Sequence, residues 1–297
     1  MDEERLQRLR QAYADELTEL APITYAPLRE AFAAVPRERF VGPGPWTTFS
    51  AGLQSALTPD DDPAHLYRNV LVSLDAAKKL NNGEPRFWAV LFDRLRPAAG
   101  ERAIHVGAGT GYYTALIAQM VGPQGRVTGI EFEPGLAAKA RRNLAPWSNA
   151  ELLAGDGMAL AQGAADVIVA SCGLDQVPLG WVRMLNDGGR LLIPLTTTLD
   201  DWPGGGWGAN LLVTRQGERF AAEFVGTVGI YHCMSGRTEA AGAALKAAFE
   251  RMRAEIDAKR PPRRVASLRL GGAPDDSCWL AGDGWWLSTS PPLDQPT

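Results

Sequence analysis

The sequence predicts an α/β fold: a doubly wound parallel sheet with an antiparallel hairpin at its edge, an N-terminal helical cap and a C-terminal α+β extension. Three observations predict it. Between residues 101 and 195 short apolar runs alternate with helical patterns. Right-handed crossovers turn such alternation into a parallel sheet covered on both faces. A glycine-rich turn, Gly107 to Gly111, joins the first of those strands to its helix. After residue 195 the alternation stops, and two longer strand patterns meet at a short polar turn.

The chain opens with helices across residues 3–35. Leu6, Leu9, Tyr13, Leu17 and Leu20 recur at three- and four-residue spacing, which lays one apolar stripe along a helix. Leu28, Phe32 and Ala33 mark a second helix that ends before Pro36. Residues 42–66 are broken by Gly42, Pro43, Gly44, Pro45, Pro59 and Pro63, with acids at Asp60 to Asp62. This segment reads as a loop or lid rather than a linker between independent domains. Helix resumes over 85–96, where Pro85 suits the first turn. Strands are predicted at 102–106, 126–131, 150–154, 166–170 and 190–195, with helices at 111–121, 134–145 and 175–185. Ala209 to Thr214 and Arg219 to Ile230, joined through Gln216-Gly217-Glu218, form the edge hairpin. A helix at 238–258 places Leu245, Phe249, Met252 and Ile256 on one face, and the basic run Lys259 to Arg264 is a solvated break. Strands at Val265–Leu270, Ser277–Leu280 and Trp285–Leu287 complete the chain. Functionally we divide it into a cap and lid (1–96), a core (97–235) and an extension (236–297).

Composition narrows the function. The 297 residues are 45% hydrophobic and 22% charged, which excludes a disordered, collagen-like or coiled-coil chain. Thirty basic residues against thirty-four acidic ones give a net charge of -4, not the basic excess of a nucleic-acid binder. No apolar run approaches the roughly 18 residues of a membrane span, and the charged N-terminus lacks a signal-peptide core. Cys172, Cys233 and Cys278 are odd in number and far apart, a pattern that points to neither a disulfide framework nor a zinc site. The expectation is a soluble protein of the reducing cytoplasm, with no metal and no nucleic-acid or membrane partner.

The chemistry concentrates in Ala103-Ile104-His105-Val106-Gly107-Ala108-Gly109-Thr110-Gly111-Tyr112-Tyr113. Glycines in such a turn permit positive φ and let a ligand approach the backbone closely. A dinucleotide fingerprint would need its third glycine where Tyr112 stands. The spacing is instead Gly-x-Gly-x-Gly, the form associated with S-adenosylmethionine. Glu131 closes the next strand, where an acid accepts both ribose hydroxyl hydrogen bonds. Asp156, between Gly155 and Gly157, follows the third strand, where an acceptor can take the adenine amino group. Either acid alone would read as a solvated loop carboxylate. Glycine turn, strand-end acid and Gly-Asp-Gly in this order predict a cofactor site of His105, Val106, Gly107, Ala108, Gly109, Gly111, Tyr112, Glu131, Asp156 and Gly157.

Through these and further motifs the chain resembles the protein-L-isoaspartate (D-aspartate) O-methyltransferases. Val35-Pro36-Arg37-Glu38-Arg39-Phe40-Val41 is similar to that family's N-terminal signature. The similarity continues through Gly107–Gly111, Gly155-Asp156-Gly157, Asp166-Val167-Ile168-Val169, Val177-Pro178 and Gly188-Gly189-Arg190-Leu191-Leu192-Ile193-Pro194, over roughly residues 20–235. The resemblance implies a class I, Rossmann-like methyltransferase fold, S-adenosylmethionine as donor and a protein or peptide carboxylate as acceptor. Two departures stand out. The family's Thr-Ile-Ser segment, which precedes the helix-opening proline, aligns with Asn81-Asn82-Gly83, so its serine is Gly83 here. His105 stands where the family carries an acid.

Asn81 and Asn82 either hold the acceptor, each amide offering donors and an acceptor, or shape an Asn-Gly turn. Ser171 and Cys172 follow the fourth strand at the sheet edge where such folds bind ligands, and His232 follows the last strand of the resemblance. These three are candidate acceptor-binding residues. Trp46, Trp202 and Trp207, in glycine-rich loops, are candidates for substrate walls. The expected activity is methyl transfer to an isoaspartyl-type carboxylate, with weak or no turnover of ordinary isoaspartyl peptides because of Gly83. Two alternatives remain: a methyltransferase tailoring another peptide or small-molecule acceptor, small carboxylates included, and a non-catalytic S-adenosylmethionine-binding protein. A dehydrogenase is disfavoured by the glycine spacing.

Overall fold

The computed structural model describes residues 2–49, 54–76, 78, 80–160 and 162–292. In chain order the first elements are α1 (Glu3–Leu20), α2 (Ala26–Ala34), α3 (Glu38–Val41), β1 (Thr47–Phe49), β2 (Ser55–Leu57), β3 (Leu71–Asp75), β4 (Leu80–Asn81) and α4 (Pro85–Leu95). An alternating stretch follows: β5 (Arg102–Val106), α5 (Tyr112–Val121), β6 (Arg126–Glu131), α6 (Pro134–Asn143), β7 (Ala150–Ala154), α7 (Gly157–Leu160), β8 (Ala165–Ala170) and α8 (Leu179–Met184). The chain ends with β9 (Leu185–Leu199), β10 (Trp202–Gln216), β11 (Arg219–Tyr231), α9 (Glu239–Asp257), β12 (Ser267–Leu270), β13 (Cys278–Gly282) and β14 (Trp285–Ser288). These elements form two compact units, residues 1–101 with 108–155 and residues 102–107 with 156–297.

In the first unit, Asp2 caps α1 through the Glu4 N–H at 3.1 Å, one of the orphan donors of a helix start. The leucine stripe buries Tyr13 and Leu17, whereas Leu20 at its end is 42% exposed. Tyr13 meets Phe32 of α2 edge-on at 5.8 Å. Pro85 opens α4, which buries Trp88, Ala89, Leu91, Phe92 and Leu95 and stops at Arg96 in the left-handed region. Helix α5 is apolar nearly all round and buried nearly all round, as a helix without a polar face must be. Strands β6 and β7 pair in parallel from Val127–Ala150 to Glu131–Ala154.

The 42–66 segment corrects the sequence reading. It is not an irregular loop: β1 and β2 pair antiparallel and join β3 and β4 in a sheet of order β2-β1-β3-β4. Trp46 anchors this hairpin and lies buried with Val41, Leu66 and Val72. Its N–H donates to Thr58 Oγ1 at 2.9 Å, and its indole N–H donates to the Gly42 carbonyl. Strands of three residues are too short to show a period-2 pattern, so only tertiary pairing reveals them. Residues 50–53 of the segment lie outside the described residues. Trp46 is thus core, not a substrate wall.

The second unit carries a sheet of order β13-β14-β12-β11-β10-β9-β8-β5. Strands β5, β8 and β9 run parallel, with Ala103–Val167 and Val106–Ala170 in register, and the remaining pairs are antiparallel. Strand β9 is fifteen residues long, beyond the predicted 190–195. It continues because β10 pairs with it from Arg190–Thr214 to Leu199–Trp202. The C-terminal strands extend the same sheet through Phe220–Leu268. Helix α9 buries Leu245 and Ala248, and Phe249 meets Trp279 at 5.3 Å. Ile256, predicted on that face, is 52% exposed. Helix α8 starts only at Leu179, after the Pro178 cap. Residues 175–178 are irregular, and just before them Gly173 bridges His232 and Leu174 bridges Leu195.

That bridging corrects a second expectation. Cys172 and Cys233 form a disulfide, and Cys278 remains a half-buried free thiol. The partners are 61 residues apart in sequence, so spacing could not pair them; the ends of β8 and β11 bring them together. The cysteine pattern therefore no longer supports a reducing compartment. Among the described residues no helix is long and apolar enough to cross a membrane.

Candidate active site

Strand β5 runs into the glycine turn. Gly107, Gly109 and Gly111 adopt φ of 77°, 58° and 96°, conformations that cost a side-chain-bearing residue strain. The Ala108 N–H donates to the Ile130 carbonyl at 3.0 Å, and Gly111 becomes the cap of α5 without side-chain help. A Cβ on Gly109 would meet nothing within 4 Å, so the outer side of the turn is open.

Glu131 completes this half of the site in the first unit. It is 8% exposed. One carboxylate oxygen accepts the Gly109 N–H at 2.7 Å and the other accepts the Glu133 N–H at 2.9 Å. Burial raises the carboxyl above its ordinary value, and the two backbone donors partly offset that. The next residue, Phe132, is 47% exposed. Tyr112 points its ring into the core against Phe40, with the Arg37 guanidinium 6.0 Å from the ring centre. The ring itself is thus turned away from the glycine turn's open side and leaves only main-chain groups there.

The Asn81–Gly83 segment lies at the end of β4 in the same unit. Asn81 Oδ1 accepts the Gly83 N–H at 2.9 Å, a turn-forming bond. Asn82 is buried; its Oδ1 accepts the Val72 N–H, and its Nδ2 has no hydrogen-bond partner among the described residues. Gly83 has φ 75°, and a Cβ there would lie 2.6 Å from Trp88 Nε1 and 3.0 Å from Tyr113 Cε2. The space for a side chain is filled. Arg37, from the N-terminal signature, is fully buried and donates to the carbonyls of Leu66, Arg68 and Val70 and to Asn82 Oδ1. It ties the signature to the Asn82 turn, a long-range role that no local pattern announces.

The second unit gathers His105, Gly107, Ser171, Cys172 and His232. His105 Nε2 lies 2.7 Å from Ser171 Oγ. The residue is 1% exposed, and burial pushes its pKa down to about 3, so it is uncharged at neutral pH. The Ser171 N–H donates to the Val106 carbonyl at 2.8 Å. His232 sits with its N–H on the Gly204 carbonyl and its buried Nε2 without a hydrogen-bond partner among the described residues. Burial first, then the Arg237 charge, holds its pKa low.

Asp156 Oδ1 accepts from the Met158 N–H at 2.9 Å and from Ser235 Oγ at 2.6 Å. Gly157 packs its Cα against Val106 too closely for any side chain. Arg237 donates to the carbonyls of Gly173 and Thr196, and Asp175 accepts the Thr238 N–H. The sequence offered no signal for this network. Trp202 meets Tyr231 at 5.2 Å, and Trp207 is 52% exposed. Among the described residues no cluster of His, Cys, Asp or Glu is placed to hold a metal.

The depressed histidines set the acid sensitivity. A base whose pKa falls on folding leaves the unfolded state holding more protons, so stability is full above the unfolded value of 6.5 and is lost as pH falls towards 3. The slope for His105 is up to about 1.4 kcal/mol per pH unit. Urea unfolding from pH 7 to 4 is expected to show it, and His105→Gln is expected to flatten it. An unchanged slope would refute the buried neutral imidazole.

A family model described as protein-L-isoaspartate(D-aspartate) O-methyltransferase (PCMT) matches residues 10–201. The chain belongs to this family. The protein-L-isoaspartate O-methyltransferase of Pyrobaculum neutrophilum is 31% identical over 186 residues, covering 61% of this chain and 81% of that protein. Its Methanopyrus kandleri counterpart is 29% identical over 203 residues, covering 65% and 80%. A solved protein-L-isoaspartate O-methyltransferase shares the fold with a TM-score of 0.63 at 20% identity, over 82% of this chain and 70% of that one. A Plasmodium falciparum beta-aspartate methyltransferase in complex with S-adenosyl-L-homocysteine gives a TM-score of 0.57 at 16% identity, over 76% and 98%. The chain is thus an S-adenosylmethionine-dependent O-methyltransferase of isoaspartyl type with a class I fold. The open glycine turn and the Glu131 carboxylate clamped at its base fit that family's cofactor.

Proposed function

We propose that this methyltransferase acts on a protein or peptide carboxylate in an acceptor pocket rebuilt around Gly83. One observation carries the reading: Trp88 and Tyr113 fill the space where a side chain at position 83 would stand. Gly107, Gly109 and Gly111 shape the cofactor turn, Glu131 accepts from the ribose hydroxyls and Asp156 from the adenine amino group. His105, Val106, Ala108, Tyr112 and Gly157 complete that site through position and main chain. Within the first unit Asn81, Asn82 and Gly83 form an acceptor wall; within the second, Ser171, Cys172 and His232 are acceptor-binding candidates. The division into cap (1–96), core (97–235) and extension (236–297) describes these roles.

The chemistry asks little of the side chains. An acceptor carboxylate has a pKa near 4, so at neutral pH it is already the nucleophile. No residue need act as general base. S-adenosylmethionine supplies an electrophilic methyl group on a positively charged sulfur. The protein's part is to align the acceptor oxygen and to exclude water. Losing a hydroxyl at position 83 therefore removes an orienting donor, not essential proton chemistry.

A labelled-cofactor assay with an isoaspartyl peptide and its aspartyl counterpart tests this. Slow transfer to the isoaspartyl peptide is expected, none to the aspartyl one, and a further fall with alanine at both Asn81 and Asn82. Fast transfer untouched by that double substitution would show that the altered segment does not shape the acceptor site.

The β1–β2 hairpin belongs to the sheet whose β4 strand leads into Gly83. We extend the proposal to a lid role for residues 42–66 that keeps water from the acceptor. Protease cleavage within 42–66 is expected to slow when S-adenosylhomocysteine and acceptor peptide are both present. Equal cleavage rates with and without them would remove the lid.

A further inference from the structure

We infer that Ser171 is the hydroxyl that orients the acceptor carboxylate, with His105 as its positioning residue and the Cys172–Cys233 disulfide bracing its backbone. This rests on the carboxyl-methylation reading above. Ser171 stands at the carboxyl end of β8, beside its parallel neighbour β5, the edge where open α/β sheets bind their ligands. It lies directly against Gly107, where β5 ends: a Cβ there would be 3.4 Å from Ser171 Cβ. The residue is half-buried, so its hydroxyl is neither lost in the core nor free in solvent.

Behind the hydroxyl sits the His105 ring, 2.7 Å away and enclosed. An uncharged imidazole can donate from Nε2 and leave the serine O–H to point outward. In that tautomer Ser171 offers its proton to an acceptor oxygen, and no bond to Ser171 forms or breaks during transfer. A carboxylate in place of the imidazole could only accept a hydrogen bond when ionised, which would turn the serine proton inward. Histidine at 105 and serine at 171 thus make sense as a pair.

The main chain is held from the other side. Cys172 is bonded to Cys233, the Gly173 N–H donates to the Tyr231 carbonyl at 2.7 Å, and the Cys233 N–H donates to the Gly173 carbonyl at 3.0 Å. Arg237 caps that same carbonyl at 3.0 Å. A donor fixed before substrate arrives loses little freedom on binding, which is the condition for an effective orienting group.

The test measures two quantities on the full chain: binding of an isoaspartyl hexapeptide by calorimetry with S-adenosylhomocysteine present, and single-turnover transfer from labelled cofactor. Ser171→Ala is expected to weaken both roughly ten- to hundredfold, the range for a lost hydrogen bond to a charged partner. Its S-adenosylhomocysteine affinity is expected to stay at the wild-type value. Ser171→Thr is expected to restore most of the loss. His105→Gln, whose amide can donate from a similar place, is expected to keep transfer, and His105→Leu to fall to the level of Ser171→Ala. Equal losses of peptide and S-adenosylhomocysteine affinity in Ser171→Ala would make Ser171 a cofactor residue and overturn the inference. So would unchanged peptide binding and transfer in a working enzyme. A wild type that neither binds nor methylates the peptide would overturn the proposed acceptor class itself, and this inference with it.

Discussion

Replacing Cys172 and Cys233 with serine is expected to lower the unfolding free energy by about 2–4 kcal/mol. The bridge spans 61 residues of sequence, and closing a loop of that size removes entropy from the unfolded chain worth about 4 kcal/mol by the chain-entropy estimate. The surrounding main-chain bonds and the Arg237 contacts persist in the variant, so the fold survives while its margin shrinks. Denaturant unfolding of the double variant against wild type measures the loss. A thiol titration of the unreduced native protein is expected to find Cys278 alone. Three titratable thiols, or equal stabilities, would refute the pairing.

Glu131→Ala is expected to weaken S-adenosylhomocysteine binding by at least about 1–3 kcal/mol, the usual cost of stranding buried hydrogen-bonding groups. The substitution removes the proposed ribose acceptor. It also leaves the Gly109 and Glu133 N–H groups without the carboxylate that now satisfies them. The turn would then lose its anchor as well as its ligand contact. Calorimetry decides the matter, and unchanged affinity would dismiss Glu131 from the site. Burial raises this carboxyl. In the ligand-free protein its charged form therefore opposes folding once pH rises through the ordinary carboxylate range, a cost that binding offsets.

Much of the fold was legible because its signals are local. The strand–helix alternation, the Pro85 start of α4 and the β10–β11 hairpin each follow from periodicity or turn chemistry within a few residues. The geometry of the proposed cofactor turn was legible for the same reason. Glycines at 107, 109 and 111 need positive φ, and Glu131 sits where the next strand ends. The segment proposed for the acceptor was half-readable. The sequence left Asn81 and Asn82 open between turn and substrate. The structure gives Asn81 its turn bond and buries Asn82 against Val72 and Arg37.

By itself, then, the sequence determined the strand–helix alternation after residue 101, the doubly wound class, the glycine turn and its acid, because each is written in residues close together along the chain. Only the tertiary structure decided the Cys172–Cys233 bridge, the Ser171–His105 pair, the β1–β2 hairpin and the crowding at Gly83. Each of these joins groups brought together by strand pairing or core packing across separations that carry no periodic signal. Ser171 and His105 are 66 residues apart, yet they meet because β5 and β8 lie side by side in parallel register. Parallel strands need a long crossover between them, and that crossover hides from the linear sequence which residues will share one edge of the sheet.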